Sequence, residues 1–195
     1  MQSVVIVTGA SRGIGAATAR LLGRQGAHVA VNFRADKASA EAVVRDIEAA
    51  GGRAIAVCAN TAVEADILRL FAETEQAFGP ITGLVNNAGI VGAPKRRIED
   101  MRFDIIMEVM RVNVAGPLLC AREAVRRMST RHGGRGGAIV NVSSVGALTG
   151  SPNTFIDYAA SKGAVDTMTV GLASEVAKYG IRVNGVRPGL IDTDV

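Results

Sequence analysis

Residues 4–15 read VVIVTGASRGIG, and this stretch decides the class of fold. Its first four residues are apolar and β-branched, which is typical of a short, fully buried strand. The glycines that follow indicate a tight turn, and an amphipathic helical pattern begins after the turn. A strand that passes through a glycine-rich turn directly into a helix is the beginning of a βαβ unit. Residues 4–15 therefore predict an α/β protein.

Short Val- and Ile-rich runs alternate with longer amphipathic segments along the rest of the chain. The predicted strands lie near Val4–Val7, His28–Asn32, Ala54–Cys58, Leu84–Asn86, Ala138–Val142 and Arg182–Arg187. The predicted helices lie near Ile14–Gln25, Lys37–Ala50, Val63–Phe78, Asp104–Arg131 and Tyr158–Tyr179. This alternation predicts a Rossmann-type, doubly wound parallel β-sheet with helices on both faces and ligands at the carboxyl ends of its strands.

The glycine turn also predicts a ligand. Gly9 permits the tight turn, Gly13 lets the backbone approach a pyrophosphate, and Gly15 allows the helix to pack closely on the strand. The helix N-terminus favours the anion, and no Gly-Lys-Ser/Thr sequence follows that would indicate a P-loop. We predict dinucleotide binding, with a purely structural turn as the alternative. The candidate contacts are Gly9, Ser11, Arg12, Gly13, Ile14 and Gly15.

The end of the second predicted strand bears on which dinucleotide binds. An NAD site normally has a carboxylate there for the ribose 2′-hydroxyl, whereas a 2′-phosphate requires an arginine. This chain has Phe33 and Arg34, and Arg12 lies in the glycine turn. Two guanidiniums can hold a phosphate bidentately, so the sequence predicts NADP(H). Two alternatives stay open: Arg34 is a solvated loop residue, or NAD(H) binds through the nearby Asp36.

Residues 158–162 read YAASK and suggest acid/base chemistry. Tyr158 and Lys162 are four positions apart in a predicted helix, so they share a face. A lysine charge about 4 Å from a phenol favours the phenolate by up to about 4 kcal/mol at an effective dielectric of about 20. A phenol activated in this way can donate or accept a proton at a carbonyl or alcohol oxygen. The alternative is that Tyr158 and Lys162 are two ordinary helix residues.

Composition limits the other functions. The chain has 195 residues, a net charge of +4 and 48% hydrophobic residues, which fits a single domain over residues 1–195. No apolar run is long enough to span a bilayer, so we expect a cytoplasmic protein without membrane contact. Cys58 and Cys120 lack the spacing of a metal site or a disulfide framework. We expect both to pack in the core, and we expect no bound metal.

Basic residues cluster at Lys95-Arg96-Arg97 and between residues 126 and 135. One interpretation is that these are solvated loops and helix ends. The other is a binding surface for a phosphorylated or acidic partner, including an acidic carrier protein. Aromatic residues are not interleaved with these charges, so nucleic acid is not an expected partner.

Together with residues 86–89 (NNAG) after the fourth strand, these motifs resemble the short-chain dehydrogenase/reductase family over essentially the whole chain. The resemblance implies that Asn86 stabilises the central sheet. It also implies that Asn87, Ala88 and Gly89 lie against the cofactor. Family members commonly contact the adenine through an aspartate after the third strand, where this chain has Asn60 followed by Thr61. An asparagine carbonyl can still accept from the adenine amino group.

The same resemblance places further cofactor contacts after the sixth strand. They are Pro188, Gly189, Ile191 and Thr193. Family members continue beyond the position of Val195 with a substrate lid, further helix and one more strand, and we expect this chain to lack them. The resemblance also implies a homodimer or homotetramer built through the two long predicted helices.

The remaining catalytic candidates are Ser144 and Asn113. The resemblance makes Ser144 the catalytic serine, whereas Ser143, on the opposite face of the strand, is expected to bond backbone. In a helix the carbonyl of Asn113 would accept from the amide of residue 117, but Pro117 has no amide hydrogen. We therefore expect a kink and a free carbonyl that can hold a water. The resemblance implies a proton relay through Asn113, with a plain proline kink as the alternative.

These features predict hydride transfer between NADP(H) and a carbonyl or secondary alcohol. Ser144 would donate to the substrate oxygen, Tyr158 would transfer the proton, and Lys162 would activate the phenol and hold the nicotinamide ribose. The substrates implied range from 3-oxoacyl thioesters, free or carrier-linked, to small sugars and polyols. The alternative function is a truncated, non-catalytic dinucleotide-binding module.

Overall fold

A computed structural model describes residues 2–93 and 95–192. Its six strands form one parallel sheet in the order β3-β2-β1-β4-β5-β6. The strands are β1 (Val4–Val7), β2 (His28–Phe33), β3 (Arg53–Cys58), β4 (Gly83–Asn86), β5 (Gly137–Val142) and β6 (Ile181–Val186). Each predicted strand is confirmed to within one residue at either end, because each is a local apolar run that ends in polar or turn residues.

Seven α-helices connect or follow these strands within the described residues. They are α1 (Gly13–Arg24), α2 (Lys37–Ala49), α3 (Glu64–Phe78), α4 (Phe103–Met110), α5 (Gly116–Met128), α6 (Gly146–Thr149) and α7 (Ile156–Val176). Short 3₁₀ turns lie at Ile98–Asp100, Thr130–His132 and Ala177–Tyr179. The single helix predicted over Asp104–Arg131 is wrong, because α4 and α5 are separate and a π-helical turn over Arg111–Ala115 joins them.

Pro117 explains why the helix changes character at this point. The proline has no amide hydrogen, so the α-helical bond to the Asn113 carbonyl cannot form. The structure accommodates this with a wider turn, in which the Gly116 amide donates to the Arg111 carbonyl five residues earlier. Pro117 then occupies the first turn of α5, where a missing amide has no cost. The predicted kink is thus a π-helical turn.

The helices cover both faces of the sheet. Val5 and Val7 of β1 face α1 and α2, whereas Val4 and Ile6 face the layer of α3, α5 and α7. The order of the strands reverses between β1 and β4, so α1 and α5, which follow these two strands, cover opposite faces of the sheet. Doubly wound sheets bind ligands in a crevice at the carboxyl edge, beside such a reversal of strand order.

Of the two cysteines expected in the core, one is found there and the other is not. Cys120 is buried, and burial raises the pKa of its thiol to about 12. Cys58 is exposed instead of packed in the core, because it lies at the end of the edge strand β3, and its thiol contacts the Arg34 carbonyl at 3.4 Å. Among the described residues no helix is long and apolar enough to cross a membrane.

The basic residues of α5 bind acidic partners within the chain. Glu123 is only 2% exposed, and it accepts from Arg126 at 2.8 Å and from Arg127 at 2.6 Å. Arg127 also pairs with Glu75 of α3 at 2.8 Å. Arg127 therefore joins α5 to α3, which neither interpretation made from the sequence describes. Arg126 pairs only within α5 among the contacts described for it, and its side chain is 59% exposed, as expected for a solvated helix end.

Candidate active site

The glycine turn after β1 is held in place by Asn32, a residue that sequence reasoning missed. The Asn32 side-chain carbonyl accepts from the Gly9 amide at 3.1 Å, and the Asn32 backbone carbonyl accepts from the Ala10 amide at 2.7 Å. Its amide group donates to the carbonyls of Phe33, Val57 and Ala59. A buried asparagine in an apolar strand was the only signal in the sequence.

Thr8 and Asn87 join the turn to β4 across the crevice. The Thr8 hydroxyl donates to the Val85 carbonyl at 3.2 Å and accepts from the amides of Asn87 and Ala88, both at 3.0 Å. The Asn87 side-chain amide donates to the carbonyls of Thr8 and Gly9. Both hydrogens of this amide are thus used within the protein, and only its oxygen is left for a ligand.

Two glycines in the turn have no room for a side chain. A Cβ at Gly15 would lie 2.4 Å from the Asn87 side-chain nitrogen and 2.5 Å from the Gly9 carbonyl oxygen. Gly9 has a φ of +61°, and a Cβ there would lie 2.9 Å from the Ala88 Cα. The turn is therefore packed against the loop after β4, as the glycine spacing predicts.

Replacing Gly15 by Ala is expected to lower the free energy of unfolding by about 1–3 kcal/mol, because the new methyl group would displace backbone. Urea unfolding would measure the change. The matched control is Gly171→Ala in α7, where a Cβ meets nothing within 4 Å. That variant should gain about 0.5–1 kcal/mol from helix propensity. Equal stability of Gly15→Ala and the wild type would show that the turn relaxes without cost.

The predicted adenine contacts, Asn60 and Thr61, lie at or near a depression of about 230 Å³. Its lining residues are Arg34, Asn60, Ala62, Val63, Glu108, Arg111 and Val112. The Asn60 side-chain oxygen accepts from the Ala62 amide at 3.0 Å, and Thr61 is 6% exposed. Sequence reasoning missed Glu108 and Arg111, which come from α4 and the π-helical turn. A larger groove of about 730 Å³ lies away from these residues, at the opposite edge of the sheet near Thr82 and Arg182.

The arginines and the aspartate that bear on the choice of dinucleotide lie in different environments. Arg12 and Arg34 are both exposed at the carboxyl edge of the sheet. Asp36 is the N-cap of α2, and its carboxylate accepts from the Ser39 amide at 3.0 Å. This hydrogen bond lowers the pKa of Asp36. Asp36 was the residue that would favour NAD(H), but its carboxylate is bound to the N-terminus of α2. The guanidiniums of Arg12 and Arg34 are exposed to solvent.

Tyr158 and Lys162 lie on one face of α7, as their spacing predicts. The Lys162 Nζ is 5.7 Å from the centroid of the Tyr158 ring. Lys162 is only 5% exposed, and its ammonium donates to the Val142 carbonyl at 2.8 Å. Burial lowers the pKa of Lys162 to about 8. At pH 7 the ammonium is still about nine-tenths protonated, so its charge remains beside the phenol.

Ser144 lies across Gly146 from Tyr158. The Ser144 hydroxyl oxygen accepts from the Gly146 amide at 3.0 Å. A Cβ at Gly146 would be 3.3 Å from that oxygen and 3.7 Å from Cε1 of the Tyr158 ring. Ser143 is buried instead, and its hydroxyl donates to the Lys162 carbonyl at 3.1 Å, as the backbone-bonded interpretation predicts.

Asn113 is fully buried in the π-helical turn. Its side-chain amide donates to the Ile90 carbonyl at 2.8 Å and to the Ser161 hydroxyl at 3.0 Å, while its oxygen accepts from the Ile90 amide at 2.9 Å. A Cβ at Gly89 would be 3.4 Å from both the Asn113 oxygen and the Lys162 Nζ. Asn113 and Lys162 therefore approach each other across Gly89, an arrangement that the sequence spacing could not reveal.

The segment after β6 runs beside Ser144. The Pro188 carbonyl accepts from the Val145 amide at 3.1 Å, and Ile191 is exposed. A side chain at Gly189 would meet nothing within 4 Å. Arg187 pairs with Asp166 of α7 at 2.8 Å. Thr193, another predicted contact, lies outside the described residues.

The four catalytic candidates thus meet at the carboxyl edge of β4 and β5. A serine hydroxyl and a phenol can both donate to one oxygen atom placed between them. The Lys162 ammonium lies beside the phenol ring. The side chains that come together are Asn113, Ser144, Tyr158 and Lys162.

Comparisons with known proteins identify the family of this chain. The sequence profile of the short chain dehydrogenase family matches residues 3–195. The chain is 48% identical to the uncharacterized oxidoreductase YgfF of Escherichia coli K12, over 99% of this chain and 78% of that protein. It is 40% identical to a 3-oxoacyl-[acyl-carrier-protein] reductase of Synechocystis, over 98% of this chain and 75% of the reductase.

A solved structure gives the same result for the fold. It is a short chain dehydrogenase from Burkholderia cenocepacia in complex with NADP, with a TM-score of 0.90 and 38% identity. The match covers 98% of this chain and 76% of that one. The Rossmann-type sheet, the profile match and these relatives agree. The chain therefore belongs to the short-chain dehydrogenase family.

Proposed function

We propose that this protein is an NADP(H)-dependent oxidoreductase that acts on a carbonyl group or the corresponding secondary alcohol. The observation that carries this proposal is the approach of Ser144 and Tyr158 around Gly146, with Lys162 behind the phenol. Two groups that can donate to one oxygen, beside a cofactor crevice, suit the polarisation and protonation of a carbonyl.

The residues of the crevice fit a phosphorylated dinucleotide. Arg12 precedes α1 in an extended conformation and provides no side-chain cap, so the first amides of α1 are available to an anion. The exposed Arg12 and Arg34 suit a 2′-phosphate, and the depression beside Arg34 and Asn60 suits the adenine. The NADP complex of the Burkholderia relative supports this choice. When bound, the cofactor supplies or accepts a hydride at the nicotinamide C4.

The protein's own residues would manage the proton. In the reducing direction, Ser144 donates a hydrogen bond to the carbonyl oxygen and Tyr158 gives its proton to the developing alkoxide. The Lys162 ammonium stabilises the phenolate that remains. Asn113 fixes Ile90 and Ser161, and we propose that its π-helical turn is where the proton is replaced from solvent. The predicted contacts at Asn87, Ala88, Gly89, Pro188, Gly189 and Ile191 belong to this proposal as well.

The substrate class is proposed from a relative of the chain. The reductase from Synechocystis is named for a 3-oxoacyl-carrier-protein substrate, and we propose a 3-oxoacyl group or a related ketone. We also propose a homodimer through α5 and α7, whose exposed apolar residues include Leu118 and Val170. Analytical ultracentrifugation would test the assembly.

The direct test is consumption of NADPH with a small panel of carbonyl compounds. Acetoacetyl-CoA, ethyl acetoacetate and a simple sugar ketone represent the three substrate types. Loss of NADPH absorbance that depends on protein and carbonyl supports the proposal. Tight binding of NADPH without turnover of any compound, in either direction, would instead favour the non-catalytic module.

Arg34→Ala is expected to weaken NADPH binding by about 10- to 100-fold, because it removes a charge-assisted hydrogen bond to the 2′-phosphate. NADH has no such phosphate, so its Kd should change less than about twofold. Calorimetric titration of both nucleotides would measure the change, since the chain has no tryptophan to provide an optical signal. The control is Arg24→Ala at the far end of α1. An equal loss for NADH and NADPH would contradict the role of Arg34.

A further inference from the structure

Arg96 and Asp157 form a buried ion pair that neither interpretation of the basic cluster anticipated. The two side chains are 7% and 3% exposed and come from positions 61 residues apart. A buried ion pair gains little stability over apolar residues of similar volume, because both charges lose their hydration. The pair is therefore better explained by what its geometry holds in place.

On one side, Arg96 organises the loop that follows β4. Its guanidinium donates to the Ala93 carbonyl at 2.8 Å and to the Val91 carbonyl at 3.1 Å. Gly92 has a φ of +83°, and a Cβ there would be 3.2 Å from the guanidinium and 2.9 Å from Val109 of α4. The described part of the loop thus contacts the guanidinium, and at Gly92 it leaves no room for a side chain between Arg96 and α4.

On the other side, the pair reaches the backbone of Tyr158. One Asp157 carboxylate oxygen accepts from Arg96, and the other accepts from the Tyr158 amide at 3.0 Å. Phe155, the N-cap of α7, provides no side-chain cap. Asp157 therefore satisfies a first-turn amide that would otherwise lack a partner. The Arg96 amide also donates to the Thr154 carbonyl at 3.0 Å, just before α7.

The same loop is fixed at its beginning by Asn113, through the two hydrogen bonds to Ile90. The loop is thus attached to Asn113 at one end and, through Arg96 and Asp157, to Tyr158 at the other. These contacts therefore fix the π-helical turn, the loop after β4 and the start of α7 relative to one another. Arg96 makes these contacts through two guanidinium nitrogens that donate in different directions, and the single ammonium of a lysine could not reproduce them.

We propose that Arg96 and Asp157 are a positioning pair for Tyr158: they hold the phenol in register with Ser144 and Asn113 and shape the wall of the substrate site after β4. The catalytic part of this inference rests on the proposed function. The positioning part does not, because it concerns the backbone of Tyr158 and can be observed without turnover.

Two measurements on the full chain test the pair. The chain contains only two tyrosines, Tyr158 and Tyr179, so protein labelled with ¹⁵N-tyrosine gives two amide signals. Tyr179→Phe assigns them. Arg96→Met should shift the Tyr158 amide signal and leave that of Tyr179 unchanged. It should also lower kcat by about 10- to 100-fold, since a displacement of about 1 Å is enough to do so, with the Kd for NADPH within about twofold.

The matched control is Arg97→Met. Arg97 is the next residue, its side chain is 65% exposed, and it pairs only with the exposed Glu99 among the contacts described for it. This variant should change neither the Tyr158 signal nor kcat. Asp157→Asn keeps an oxygen for the Tyr158 amide but loses the charge, and the double variant Arg96→Met/Asp157→Asn leaves no lone buried charge. We expect its loss in kcat to be no larger than that of the more impaired single variant.

An unmoved Tyr158 signal in both Arg96→Met and the double variant would overturn the proposal. A moved signal with the kcat of the wild type would overturn it as well, because the pair would then be merely structural. If Arg96→Met does not fold, Arg96→Lys and the double variant give the same comparison. Absence of turnover in the wild type would count against the proposed function, while the amide signals would still decide whether the pair positions Tyr158.

Discussion

Tyr158→Phe is expected to lower kcat by about 10³-fold while the Kd for NADPH stays within about twofold. The substitution removes only the phenolic oxygen, so it removes the proton donor and preserves the ring that packs beside Lys162. General acid catalysis of this kind is typically worth about 10²- to 10⁴-fold. Stopped-flow or steady-state measurement of NADPH oxidation gives kcat, and calorimetry gives the Kd.

Two variants make this result interpretable. Tyr179→Phe changes the only other tyrosine of the chain, which lies in the 3₁₀ turn after α7, and it should leave kcat unaltered. Ser144→Ala should lower kcat by about 10²-fold, since it removes one donor to the substrate oxygen and retains the proton donor. A Tyr158→Phe protein with the kcat of the wild type would refute the proposed mechanism.

Lys162→Met is expected to abolish most activity and yet raise stability at neutral pH. Burial lowers the pKa of Lys162 from 10.5 to about 8, so the folded protein holds an ammonium that would be better solvated in the unfolded chain. The shift corresponds to about 3 kcal/mol. The lost hydrogen bond to Val142 offsets about 1 kcal/mol of this. We expect the variant to be more stable by about 1–2 kcal/mol at pH 7.

The sign of this effect predicts a pH dependence. Below pH 8 the lysine is protonated in both states, and the folded state carries the full cost of burying the charge. Between pH 8 and 10.5 the folded lysine loses its proton while the unfolded lysine keeps it, so the wild type gains stability as the pH rises. The advantage of Lys162→Met should therefore shrink by about 2 kcal/mol between pH 7.5 and pH 10.

Urea unfolding of Lys162→Met and the wild type across this pH range measures the difference between their free energies of unfolding. The other titrating groups are the same in both proteins, so their contributions cancel in this difference. Lys37→Met is the control, because Lys37 is 74% exposed and its loss should not produce such a pH dependence. A stability difference between Lys162→Met and the wild type that is constant with pH would mean that the lysine is solvated in the folded protein.

The strands and the glycine turn could be predicted because their signals are local. Val4–Val7 is apolar by itself, and the packing of Gly15 against Asn87 needs a glycine at that position. The shared face of Tyr158 and Lys162 follows from helical spacing alone. Pro117 revealed where the helix changes, but the choice of a π-helical turn depended on how α4 and α5 pack around it.

Contacts between distant segments could not be predicted in the same way. Arg96 belongs to a run of three basic residues that is typical of an exposed loop, and only the fold brings Asp157 to it. In the sequence, Asn32 and Thr8 look like ordinary residues of a strand or its end. Their hydrogen bonds to Gly9 and Ala88 are formed only when the strands come together in the sheet. Cys58 has an apolar context, but its exposure depends on β3 lying at the sheet edge.

The sequence by itself determined the strand and helix order, the glycine turn and the place where the helix before Pro117 changes. These depend on the period of apolar residues and on the conformations open to glycine and proline. Only the tertiary structure decided that Asn113 meets Lys162 across Gly89, that Ser144 faces Tyr158 across Gly146, and that burial shifts the pKa of Lys162. Such properties depend on which segments exclude water from one another, and that is set by the packed chain as a whole.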